Sequence, residues 1–127
     1  MADLEEKIFN AVEGYFAAFG KYDAGAVMAL YAEDAVVEDP IGTPEKIGAK
    51  AIQTFYEKSM QSKAVLKRTG PIRINGNQAA FPFQAQVTMP AGRLEIDVID
   101  VMTFNDDGKI TSMRAYFGER NTKLVEG

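Results

Sequence analysis

The stretch Leu94-Glu95-Ile96-Asp97-Val98-Ile99-Asp100-Val101-Met102-Thr103-Phe104 decides how the rest of the chain folds. Its apolar residues recur with a period of two, the signature of a β-strand, and alternate side chains along a strand share a face. One face carries Leu94, Ile96, Val98, Asp100, Met102 and Phe104: five large apolar residues and one acid. Asp100 therefore points into a core. Stripping water from a carboxylate is costly, so a buried Asp either pairs with a cation or takes up a proton. No Lys or Arg shares its face in this strand. A protonated Asp among apolar side chains is a hydrogen-bond donor, which an ionised carboxylate is not. The opposite face carries Ile99 and Val101 between Glu95, Asp97 and Thr103, too apolar to be left wet; a second subunit covering it predicts a homodimer.

Outward from this strand, Pro90-Ala91-Gly92 turns back into a preceding strand. That strand places Ala79, Phe81, Phe83, Ala85, Val87 and Met89 on one face and Gln78, Gln84, Gln86 and Thr88 on the other. Pro82 on its polar face predicts an edge position or a bulge. Asn75-Gly76-Asn77 is a hairpin signal, and Val65 to Arg68 and Ile72 to Ile74 are strand pieces broken by Gly70-Pro71. Downstream, Asn105-Asp106-Asp107-Gly108 turns into a last strand from Lys109 to Phe117.

The first half is helical. Leu4, Ile8, Val12, Tyr15 and Phe19 fall at helical spacing, predicting an amphipathic helix over 3–19 closed by Gly20. Asp23 is a suitable N-cap for a shorter helix with Val27, Leu30 and Tyr31 facing inward. Glu33-Asp34 turns the chain into a short strand, Ala35 to Asp39, stopped by Pro40, and a loop runs from Ile41 to Ile47. A third helix, about Gly48 to Ser59, buries Ile52, Phe55 and Tyr56. Three helices followed by a mainly antiparallel meander is an α+β pattern, and a strongly curved sheet folded over the helices makes a one-ended apolar pocket. With no linker, repeat or low-complexity segment, residues 1–127 read as one domain.

Composition removes whole classes of chemistry. The chain has no Cys and no His, which excludes thiol nucleophiles, thiolate or imidazole metal sites and triads built on a His base. Neither a Walker-type loop nor a dinucleotide fingerprint is present. The net charge of −4 comes with Lys and Arg scattered singly, which speaks against nucleic acid and anionic membrane as partners. No stretch is apolar enough to cross a bilayer. Asp3, Glu5 and Glu6 stand where a signal peptide would be basic then apolar, so a cytoplasmic protein is expected. Asp, Glu, Tyr and Lys remain as acid–base groups.

Several of these invite two readings. Asp100 is either a structural acid, bonded to backbone or to a cation such as Arg114 from another strand, or a functional neutral acid. Tyr15, Tyr31 and Tyr56 each read singly as core tyrosines, but three facing one core are placed to form a hydroxyl chain. Asp39 beside Glu38 reads as a solvated or turn-capping acid, and alternation leaves open which of the two points inward. Met113 and Phe117 alternate on the last strand as pocket wall or core.

At these residues the chain resembles the bacterial steroid Δ-isomerases of the cone-shaped superfamily that includes nuclear transport factor 2 and SnoaL. The likeness covers nearly the whole chain: Tyr15, Tyr31-Ala32-Glu33-Asp34-Ala35, Val37-Glu38-Asp39-Pro40-Ile41-Gly42, the Phe55-Tyr56 pair, Phe81-Pro82-Phe83, Asp97 to Met102, Gly108-Lys109-Ile110 and Met113 to Phe117. The resemblance implies isomerisation of a Δ5-3-ketosteroid to the conjugated Δ4 ketone. Asp39 would be the general base, and Tyr15 with protonated Asp100 the oxyanion hole. Tyr31 and Tyr56 would support Tyr15, and Phe55, Phe81, Phe83, Met113 and Phe117 would line an apolar steroid site. No metal or organic cofactor is implied. Phe117 stands where some members carry a Trp that bonds the base and others carry Phe. Three other readings share this fold: a polyketide cyclase; an epoxide hydrolase with an Asp-Arg-Asp arrangement, for which Arg114 is the available cation; and a non-catalytic binding or dimerisation module.

Overall fold

The first helix begins where its cap is. Asp3 accepts the Glu6 N–H through its side chain (2.8 Å), and α1 runs Leu4–Gly20. Its stripe of Ile8, Ala11, Val12, Tyr15, Ala18 and Phe19 is buried. Gly20 is the last helical residue rather than the stop; Lys21 caps, with its N–H to the Ala18 and Phe19 carbonyls. Asp23 caps α2, Ala24–Met28, through the Ala26 N–H (3.0 Å). The computed structural model describes residues 3–126, so the extreme ends of the 1–127 span lie outside the described residues.

The region after α2 differs from expectation. Tyr31 does not sit on that helix; it opens strand β1, Tyr31–Glu38. The chain is captured before another helical turn forms, because the Leu30 carbonyl accepts the N–H of Ile110 (2.9 Å) at the start of β7, Ile110–Tyr116. Glu33-Asp34 is not a turn either. It lies in an irregularity of the parallel β1–β7 pairing, where the register moves from Tyr31↔Ile110 to Val36↔Ser112. The expected loop contains a two-residue strand, β2 (Lys46–Ile47), antiparallel to β1. Helix α3 spans Ala49–Gln61 and buries Ile52, Tyr56 and Met60, with Phe55 half-buried.

The sheet continues with β3 (Val65–Arg68), β4 (Arg73–Asn75), β5 (Gln78–Met89), β6 (Gly92–Phe104) and β8 (Thr122–Val125). Strand order is β2-β1-β7-β6-β5-β3, with β4 also on β5 and β8 also on β6. It is a curved, open, mixed sheet, antiparallel except for β1–β7, with three helices packed on it. The strand that anchored the sequence reading pairs with β5 without interruption, Gln78↔Thr103 to Met89↔Gly92.

Pro82 is therefore in neither a bulge nor an outer strand. Its carbonyl accepts the Thr69 N–H (3.1 Å), so the side of the strand where Pro lacks a donor faces the gap between β3 and β4. The Gly70-Pro71 break creates a local edge there, and a Cβ on Gly70 would press into the Pro82 ring. Strand β8 had no counterpart in the sequence reading. Four residues long, with Lys123 and Leu124 exposed, it lacks the alternation of a half-buried strand. It runs antiparallel beside β6 and passes close to Gly92, where φ is +146° and a Cβ would run into the Val125 carbonyl.

Candidate active site

Asp100, on β6, is 1% exposed. Its cross-strand neighbours are Phe81 on β5 and Ala115 on β7, and Val98 and Met102 lie on the same face along β6. Among the described residues no cation lies within ion-pair distance of it. Arg114 pairs with Val101, so it projects to the other face, where its Nε is 3.9 Å from Glu38. The structural-acid reading through Arg114 thus fails. Asp100 Oδ1 is buried with no hydrogen-bond partner. Burial, with the nearby charge of Asp39 adding, pushes its carboxyl well above the usual carboxylate range. Both effects favour its protonated, hydrogen-bond-donating form.

Three tyrosines converge from three elements. Tyr31 on β1 and Tyr56 on α3 are hydroxyl-to-hydroxyl at 2.6 Å, and the Tyr56 hydroxyl donates to the Tyr15 oxygen on α1 at 3.1 Å. Each phenol has one proton. Since Tyr56 gives its own to Tyr15, Tyr31 must give its own to Tyr56, and the Tyr15 proton stays unspent at the end of the chain. Burial, the largest cause, pushes the Tyr15 phenol well above its usual range, so it is a donor and not a phenolate at neutral pH.

The backbone resolves which acid of the Glu38-Asp39 pair turns inward. Glu38 accepts the Gly42 N–H at 2.8 Å and faces Arg114, so it is committed to the loop. That loop is fixed further by the Ile41 N–H to the Ala115 carbonyl (2.9 Å) and by Thr43 Oγ1 donating to the Pro40 carbonyl (2.7 Å). Asp39, just past the end of β1, lines the cavity instead. Burial raises its pKa from 3.8 to about 6, against a lowering contribution from Lys46. It stays partly in contact with solvent, unlike Asp100, and is ionised at neutral pH.

Tyr15, Asp39, Tyr56 and Asp100 share one cavity of ≈ 700 Å³, counted out to its opening. Its walls are mainly apolar and include Phe55, Phe83 and Phe117. Phe81 and Met113 are not brought to the wall; both are fully buried, Phe81 against Phe16 at 5.5 Å between ring centroids. Tyr31 sits behind Tyr56. The sequence reading passed over Ser59, Leu66, Ala85, Val87, Ile96 and Val98 as wall residues. The signal was present, because the last four lie on the inward faces of β5 and β6 and Ser59 is one helical turn beyond Phe55. Nothing in the pattern said that the helices leave this end of the sheet uncovered.

Among the described residues no helix is long and apolar enough to cross a membrane. Such an arrangement, with two carboxyls and a tyrosine hydroxyl lining one mainly apolar cavity, suits proton transfer on a molecule whose oxygen gains negative charge.

Known proteins carry the same fold and sequence pattern. Residues 12–113 match the SnoaL-like domain. A relative from Nocardioides simplex named steroid Delta-isomerase is 40% identical over 116 residues, covering 90% of this chain and 92% of the relative. Among solved structures, the epoxide hydrolase/cyclase-like enzyme SalBIII of pyran ring formation in the polyether salinomycin superposes with a TM-score of 0.89. It is 26% identical, over 95% of this chain and 98% of that one. A Mycobacterium tuberculosis protein in complex with estradiol-17beta-hemisuccinate has a TM-score of 0.84 at 20% identity, over 93% and 98% of the two chains, and shares the fold. With the family match spanning most of its length and a relative this similar, the chain belongs to the SnoaL-like domain family of cone-shaped proteins.

Proposed function

We propose that this protein is a steroid Δ-isomerase that moves the double bond of a Δ5-3-ketosteroid into conjugation, with Asp39 as base and Tyr15 and protonated Asp100 as oxyanion hole. The observation that carries the reading is Asp100: a fully buried carboxyl with an unpartnered oxygen, in the same cavity as a tyrosine whose proton is also free. An unpaired buried polar atom costs roughly 1–3 kcal/mol, and a substrate oxygen at this position would recover it. The steroid Delta-isomerase relative supports the same substrate class.

In this mechanism the 3-keto oxygen accepts hydrogen bonds from the Tyr15 hydroxyl and the Asp100 O–H. Asp39 takes the proton from the carbon between the ketone and the double bond. The C–H electrons form the enolate double bond, and charge collects on the oxygen under the two donors. Protonated Asp39 then returns the proton to the far end of the dienolate, leaving the Δ4 ketone; atoms and charge balance with no further reagent. Tyr56 and Tyr31 position Tyr15 and polarise its O–H. Phe55, Phe83 and Phe117 flank the ring system, with Phe81 and Met113 as the layer behind.

Epoxide hydrolysis through an Asp-Arg-Asp set is the weaker reading, because Arg114 faces Glu38 on the opposite side of the sheet. A binding module would need neither a base nor a neutral acid. The test is ultraviolet absorbance on mixing the protein with a Δ5-3-ketosteroid, with Asp39→Asn in parallel. Growth of the conjugated-enone band with wild type alone supports the reading, and a flat wild-type trace overturns it.

A further inference from the structure

Lys46 lies outside the residues that the isomerase reading uses, yet the sheet aims it at the base. It pairs with Val37 across the antiparallel β1–β2 ladder. Residues directly opposite in such a ladder point to the same face. Val37 is completely buried on the inner face, and Asp39 follows two residues later on that side, whereas Ile47 on the other face is exposed. The Lys46 ammonium is seated 4.9 Å from the centroid of the Phe55 ring, a cation–π contact, and Phe55 is itself a wall of the cavity that Asp39 lines. Among the described residues no carboxylate lies within ion-pair distance of Lys46, so its charge is not consumed elsewhere.

Among the described residues, no Lys or Arg lines the cavity that Asp39 faces. Tyr15 from α1, Tyr31 from β1 and Tyr56 from α3 are neutral, Asp100 from β6 is an acid, and Arg114 from β7 turns to the far face. We propose that Lys46, held on the Phe55 ring, is the positioning cation of Asp39, keeping that carboxylate ionised inside an apolar cavity without making contact with it. Its attraction opposes the burial of Asp39, in keeping with the direction in which it moves the titration of that acid. A directly paired lysine would quench the base and block the proton's path; one seated on an aromatic ring a short distance off does neither.

This inference takes Asp39 as the base from the proposed function, but its test does not depend on turnover. The Asp39 carboxyl is followed by ¹³C NMR through a pH titration, its resonance assigned by its loss in Asp39→Asn. In parallel, kcat/KM for a Δ5-3-ketosteroid is measured against pH. Lys46→Met is expected to move the Asp39 titration, and the acid limb of the rate profile with it, upward by up to about one pH unit. Lys46→Arg is expected to restore both, and Lys58→Met, a lysine beside the same ring, to leave both in place. Lys46→Gln serves if Lys46→Met fails to fold. A titration that stays at its wild-type position in the neutral variants overturns the inference. A shifted titration with no turnover by any variant leaves it standing and removes the isomerase reading instead.

Discussion

Replacing Asp39 with Asn removes a charge that folding has to desolvate, and the sign of the effect depends on pH. The folded-state pKa of Asp39 is raised from 3.8 to about 6 by burial. Below the lower value both folded and unfolded chains hold the proton, and the residue has no effect on stability. As pH rises from there, the unfolded chain releases the proton first, so the unfolded state binds fewer protons and stability falls. Once pH passes about 6 the folded chain ionises as well, and the penalty is complete. At about 1.4 kcal/mol per tenfold change, the full cost is about 3 kcal/mol. Partial solvent contact at Asp39, and the cost of burying the Asn amide in its place, reduce the expected gain to about 1–3 kcal/mol.

Asp39→Asn is therefore expected to be more stable than wild type at pH 8 and to lose that advantage as pH falls toward 3.8. For a chain of this size the gain at pH 8 amounts to a rise in Tm of roughly 3–12 °C. Urea unfolding of both proteins at intervals from pH 4 to pH 8 measures it directly, and the expected trace is a gap that opens through the acid range and is flat above about pH 6.5. A gap that is independent of pH would mean that Asn improves packing and that the Asp39 charge is not strained. A wild type more stable than the variant at pH 8 would mean that the carboxylate has a strong ionic partner, contrary to the electrostatics described above.

Tyr15→Phe and Asp100→Leu are each expected to lower kcat by about 10²–10³-fold, the usual cost of one oxyanion donor, with little change in affinity for a neutral steroid. Equal losses in rate and binding would refute the donor roles. Wild-type kcat/KM is expected to rise with pH through about 6, where Asp39 loses its proton, and to level off above; a rate that falls over this range would refute Asp39 as base. Tyr56→Phe breaks the hydroxyl chain in the middle while leaving the Tyr15 proton in place. A smaller rate loss than in Tyr15→Phe is expected in the same assay, and an equal one would make Tyr56 the donor. Ile99 and Tyr116, 48% and 42% exposed on the outer face of the sheet, suit a homodimer contact; a monomeric sedimentation profile at micromolar concentration would count against it.

What could be read from the sequence was whatever alternation and helical period encode locally. Strand β6, its partner β5, the stripe of α1 and the cap at Asp23 follow from patterns of a few residues, and burial of Asp100 came directly from its face. Tyr31 was misplaced because its period fits helix and strand equally. The parallel pairing to Ile110, 79 residues away in sequence, decides between them. Pro82 misled because a proline needs only the absence of a neighbour on one side, and a break in the adjacent strand supplies that as well as a sheet edge does. The choice between Glu38 and Asp39 was not legible, since it rests on Gly42 offering an N–H and Arg114 lying across the sheet.

Two acids in one apolar cavity cannot both be charged cheaply, and the two are not symmetric. Each carboxylate disfavours ionisation of the other, so they titrate as a coupled pair rather than as independent groups. What separates them is the protein around each. Asp100 sits at the centre of the strand, between Phe81 and Ala115, with no cation on its face. Asp39 sits past the end of a strand, at a bend held by Glu38 and Thr43, partly in solvent and facing Lys46. The first charge to form is therefore on Asp39, and once it is there Asp100 keeps its proton more firmly. If Asp39 is the base, as proposed, its ionisation also keeps Asp100 a donor, because the Asp39 charge favours the protonated form of Asp100. On the proposed isomerase reading, reversing the environments would give two carboxyls and no catalyst, and the role proposed for Lys46 makes its short strand part of the same arrangement.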